Sequence, residues 1–107
     1  MSVDVNGLVN QMVSAGKGLA GGVWTQIETY AVPELKKIAI QVEAIAENHA
    51  AYTPEGAVIL FQMQVRAAIS VIVAMTTMTL AMVQNAVNAM IDAVKAFINT
   101  ATGFALV

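Results

Sequence analysis

Glu43, Glu47, His49 and Glu55 lie within thirteen residues of one another and are the densest group of chemically capable side chains in the chain. A carboxylate-bridged di-metal centre in a helical bundle needs Glu from two helices and a Glu-x-x-His pair from each of the others. Here the order is Glu47-Asn48-His49. Two residues along a helix turn a side chain by about 200°, so Glu47 and His49 cannot face one metal on a common helix. Glu43 and Glu47 share a face, but the second half of the chain offers only Glu55 and Asp92 as acids. His49 is the sole histidine and nothing in the sequence marks an activated nucleophile beside it, so no nucleophile–histidine–acid arrangement is expected. The glycines at 16, 18, 21 and 22 follow no strand and match no phosphate-loop spacing. The residues therefore predict a non-enzymatic chain with no cofactor and no metal. One chemical role remains open to His49: a pH-sensitive contact beside Glu43 and Glu47, since histidine changes charge between about pH 5 and 8.

The elements that must position these residues read as all-α. Residues 3–31 carry apolar side chains at roughly helical spacing, among them Leu8, Val9, Met12, Val23 and Ile27. Gly16, Gly18, Gly21 and Gly22 weaken this segment by about 1 kcal/mol each relative to alanine. Ser14, Gly18 and Gly22 recur every fourth residue, a small-residue stripe that predicts a close helix-packing interface. Trp24 and Tyr30 fit either packed aromatics or a membrane interface. Pro33 is expected to break or kink the first helix. Residues 33–51 then form an amphipathic helix with a seam of Leu35, Ile38, Val42, Ile45 and His49. Thr53, Pro54 and Glu55 make a strong helix start. After Gly56 no proline or glycine occurs until Gly103, so residues 54–101 are expected to form one long helix. Residues 1–107 would thus be a single helical-hairpin domain.

That second helix is the most informative element. Between Arg66 and Asp92 no charged residue occurs. Its polar residues Gln62, Arg66, Ser70, Thr77, Gln84, Asn88, Asp92, Lys95 and Asn99 form a narrow stripe, with Arg66, Thr77, Asn88 and Asn99 spaced by eleven. Eleven residues in three turns suit a nearly straight helix. The remaining circumference is apolar, which calls for burial on nearly all sides. Met63, Met75, Met78, Met82 and Met90 read as adaptable core filler, and alanines such as Ala67 and Ala74 keep the helix thin.

Composition bounds the partners. The chain has 107 residues, 58% hydrophobic and 11% charged, with net charge −2 and no cysteine. Ordinary soluble domains carry about 25% charged residues. Five scattered Lys and Arg residues exclude a phosphate-binding face, so no nucleic-acid partner is expected. The first residues lack a basic, then apolar, run, and no secretory signal is expected. Two readings follow. In the first, the chain is a structural subunit that packs with copies of itself into a homo-oligomer or polymer. In the second, residues 67–91 cross a membrane as a transmembrane helix, lipid becomes a partner, and the polar stripe lines an oligomeric pore.

Overall fold

A computed structural model of the chain describes residues 3–107. Among these residues the secondary structure is all helical. It comprises α1 (Val5–Lys17), α2 (Val23–Glu47), α3 (Pro54–Met75), α4 (Leu80–Asp92) and α5 (Lys95–Thr102), with short 3-10 turns at Ala20–Gly22 and His49–Ala51. Contacts run α1 to α2, α2 to α3, α3 to α4 and α4 back to α1, which closes a ring of four helices; α5 packs on α2. The core runs along the inside of that ring and includes Leu8, Met12, Ile27, Ile38, Val42, Ile72, Val83 and Met90.

Local chemistry accounts for the helix ends. The Asp4 carboxylate accepts from the Gly7 amide at 3.0 Å, and the Thr53 hydroxyl accepts from the Gly56 amide at 3.0 Å. Each cap satisfies one amide of an otherwise bare first turn. Gly103, at φ 73°, ends α5 in the left-handed conformation expected of a terminal glycine.

Three sequence-based expectations are corrected. First, Pro33 does not break the first helix. It lies exposed inside α2, which runs through it from Val23 to Glu47. The break comes earlier, where Gly21 and Gly22 take φ of 79° and 66° in succession, a turn that side chains larger than hydrogen resist. Second, residues 54–101 are not one helix. The chain leaves α3 at Thr76, with φ −129° and ψ 172°, and re-enters helix at Leu80. A smaller interruption at Ala93–Val94 separates α4 from α5. Third, the apolar second half is not left without cover inside one chain. Folded back at Thr76–Thr79, α3 and α4 bury one face each against the first two helices. The accessible surface of 5684 Å² matches the roughly 5,700 Å² of a folded 11.2 kDa monomer.

The small-residue stripe is also rearranged. Ser14 lies in α1, Gly18 caps its C-terminus, and Gly22 precedes α2, so the three share no continuous helix face, and all three are exposed. The close approach within the chain falls at Gly16. A Cβ there would stand 2.6 Å from Trp24 Cε3 and 2.8 Å from Met90 Sδ. Neither the indole nor the buried methionine has room to retreat. Gly16→Ala is therefore expected to lower stability by about 1–3 kcal/mol through overpacking. Gly18→Ala, whose Cβ would meet the Ala15 and Ser14 carbonyls at ordinary distances of 3.5 and 3.9 Å, should be neutral or gain up to about 1 kcal/mol. Urea unfolding of the two variants side by side measures the difference.

Candidate self-association face and polar cleft

The turn at Thr76–Thr79 converts the polar stripe from a line into two walls. Gln62 and Arg66 of α3 and Gln84, Asn88 and Asp92 of α4 line a common cleft of about 400 Å³. Phe61, Val65, Ile69 and Ile91 give it an apolar floor, and Leu106 and Val107 contribute at one side. Ser70, Thr77 and Lys95 are exposed and do not line it. Arg66 and Asp92 share the cleft without closing to an ion pair; among the described residues Lys37–Glu34, at 2.9 Å, is the ion pair present. Each polar residue lining the cleft is exposed, so water can satisfy it. The stripe thus gives the α3–α4 groove a wettable rim above an apolar floor.

Asn99, last in the stripe, does something different. Its Oδ1 accepts from the amides of Leu106 at 2.9 Å and Val107 at 3.2 Å, and its Nδ2 donates to the Val107 carbonyl at 3.3 Å. One side chain therefore pins the segment that flanks the cleft, and buried Leu106 and Phe104 hold it from below.

His49 does not occupy the seam of α2. Leu35, Ile38, Val42 and Ile45 are buried as that seam, whereas His49 sits in the turn after it. Its Nδ1 donates to the Thr102 carbonyl at 2.8 Å, and its ring stacks on Phe104 with centroids 4.3 Å apart. It thereby closes the end of α5, where unsatisfied carbonyls collect. A carbonyl oxygen only accepts, so Nδ1 carries the hydrogen of this bond. Glu43, Glu47 and Glu55 form no ion pair with it, and among the described residues no three acidic or histidine side chains converge on a point.

The feature the sequence did not single out is the outer side of α3. Its inner face buries Ala57, Phe61, Val65, Ala68, Ile69 and Ile72. On the opposite side Ile59, Leu60, Met63, Ala67, Val71, Ala74 and Met75 are exposed, with Ile59 at 56%, Met63 at 59% and Met75 at 54%. Gln62, Arg66 and Ser70 separate the two faces along one edge, and Gln64 along the other. The signal was present: Ile59, Met63, Ala67, Val71 and Met75 fall at a strict spacing of four, distinct from the inner set. Reading everything outside the polar stripe as one apolar surface merged the two faces into one.

Neither a family model, nor a curated protein, nor a solved structure matches the chain. Function therefore rests on the surface itself.

The three Asn99 contacts carry a direct consequence. Loss of the two amide bonds in Asn99→Ala, at about 1 kcal/mol each, predicts roughly thirtyfold faster hydrogen exchange at Leu106 and Val107. Exchange across α1 to α4 should stay unchanged.

Proposed function

We propose that the chain is a non-enzymatic structural subunit that associates with copies of itself through the outer face of α3. The supporting observation is that exposed apolar face, in a chain whose interior already accounts for a folded globule. Contiguous apolar patches of this kind mark interaction surfaces rather than ordinary exposure.

Magnitudes say what kind of association to expect. Fully burying a large apolar side chain contributes about 1.5–3 kcal/mol. Ile59, Leu60, Met63, Val71 and Met75 are each about half covered already. A second copy would add roughly 1 kcal/mol per side chain, or on the order of 10 kcal/mol gross for a pair. Lost rotational and translational freedom costs about 4–15 kcal/mol. A pair through α3 alone is therefore concentration-dependent. A larger assembly needs a second contact. The chain offers one in the hollow of about 260 Å³ lined by Leu19, Ala20, Val23, Met82, Asn85 and Ala86.

The second reading is a membrane protein, and one observation favours it. Among the described residues α3 is the helix long and apolar enough to cross a bilayer. Its 22 residues reach about 33 Å against a hydrocarbon core of about 30 Å. The span 67–91 expected from the sequence is interrupted by the Thr76–Thr79 turn. Arg66 weighs against α3 as well. It lies near the middle of the helix, where an arginine costs at least about 2.5 kcal/mol on insertion scales. Five Lys and Arg residues in the whole chain also give little basic surface for docking flat on an anionic membrane.

Sedimentation of untagged protein from micromolar to several hundred micromolar should show mass rising with concentration, without detergent. Met63→Glu, on an exposed site, should leave the helical content intact and hold the protein monomeric over the same range. Protein that is recovered only in detergent-soluble membrane fractions would instead establish the bilayer reading.

A further inference from the structure

The chemistry of the α3 face specifies how two copies meet, given the self-association proposed above. Counted from Ala67, its exposed apolar residues lie at minus eight (Ile59), minus seven (Leu60), minus four (Met63), plus four (Val71), plus seven (Ala74) and plus eight (Met75). Helical periodicity alone makes such a list symmetric. The choice of side chains at each place is a property of this sequence. The smallest apolar residue stands at the centre, where two crossing helices approach most closely. Leucine stands opposite alanine across that centre, and methionine opposite valine. The positions at minus three and plus three, which would widen the face, are Gln64 and Ser70.

We propose that two copies pair through α3 in antiparallel fashion across a two-fold axis at Ala67. Each contact is then made twice, as a closed two-fold interface requires. Leu60 meets the partner's Ala74, Met63 meets the partner's Val71, and Ala67 meets the partner's Ala67, while Ile59 and Met75, each about 80° round the helix from Ala67, border the contact. The ridge of every fourth residue, 59-63-67-71-75, and the 60-63-67-71-74 seam both pass through Ala67, so either common class of helix crossing keeps the same centre. A parallel pair would instead set Met63 on Met63 and leave Ala74 facing Ala74 at one end, a gap where the antiparallel pair has leucine filling it. The cost of the arrangement is that both Arg66 side chains lie on one edge near the axis. Each is exposed and shares its cleft with Asp92, so neither charge is trapped without water.

A chain without cysteine makes the registry directly measurable. A disulfide forms only where Cα atoms come within about 7 Å. Under mild oxidation, Ala67→Cys alone should give mostly covalent dimer. Met63→Cys alone and Val71→Cys alone should not, because like residues lie about 12 Å apart along the axis. Mixing Met63→Cys with Val71→Cys should restore the cross-link. Thr100→Cys, exposed on α5, gives the background from random collision. Strong self-linking by both Met63→Cys and Val71→Cys means a parallel pair and overturns the proposal. An assembly by sedimentation in which Ala67→Cys does not exceed background overturns the registry while leaving self-association standing. Protein monomeric at several hundred micromolar overturns both.

Discussion

An uninterrupted apolar helix from Pro54 to Thr102 would be far too long to cover with the residues that precede it, and the turn at Thr76–Thr79 removes that conflict. The turn needs neither proline nor glycine because threonine hydroxyls replace the lost helical bonds. Thr76 Oγ1 donates to the Ile72 carbonyl at 2.7 Å and accepts from the Met78 amide at 3.3 Å; Thr79 Oγ1 accepts from the Met82 amide at 3.2 Å. Serine and threonine compete with helix in this way wherever they cluster. Between the two threonines Met78 is buried, so the turn is anchored in the core as well as capped. The four-helix ring, the α3–α4 cleft and the α3 outer face all depend on this reversal.

A second constraint acts at the far end. α5 has eight residues, too few to persist alone, and it is held by contacts distant in sequence. His49 reaches its terminal carbonyl across 53 residues, and the His49 ring lies against Gly103, where a Cβ would stand 3.0 Å from Cε1. Buried Thr102 turns its hydroxyl back to the Ile98 carbonyl at 2.8 Å and so spends no unsatisfied polar group in the core. The α2–α3 turn and the chain's last helix are therefore one unit. Through Asn99 that unit extends to Leu106 and Val107 at the cleft.

How much of this was legible in the sequence differs by element. The all-helical class, the seam Leu35–Ile38–Val42–Ile45, the Thr53 cap and the Gly103 stop follow from periodicity and capping chemistry, and each is present. The first break was expected at Pro33 but falls at Gly21–Gly22, and the second was missed because it is made by threonines rather than by proline or glycine. Pro33 costs α2 one hydrogen bond on an exposed side, which packing by Ile27, Ala31, Leu35 and Ile38 outweighs. Thr76 and Thr79 stood off the polar stripe, and that departure was the available sign of a turn. Of the polar stripe, Gln62, Arg66, Gln84, Asn88 and Asp92 come to line one cleft while Ser70, Thr77 and Lys95 do not, because the reversal at Thr76–Thr79 bends the line. Gly16 escaped notice because its partners Trp24 and Met90 come from separate helices, and no local pattern announces a tertiary contact.

The outer face of α3 bears on why the second half is so apolar. A helix serving only the core needs one apolar stripe, as α4 has in Val83, Ala86, Val87 and Met90. α3 carries two stripes separated by polar edges, and only the inner one is consumed by this fold. Exposed methionines at 63 and 75 bring unbranched, adaptable side chains to that outer surface. Solubility alone would favour charge there, since charged residues on a helix face cost little and oppose aggregation. The face instead contains no charged residue within its seven apolar positions, while Gln62, Arg66 and Gln64 mark its borders. A polar boundary around an apolar strip limits how far contact can spread, which favours a defined pair over indiscriminate clustering.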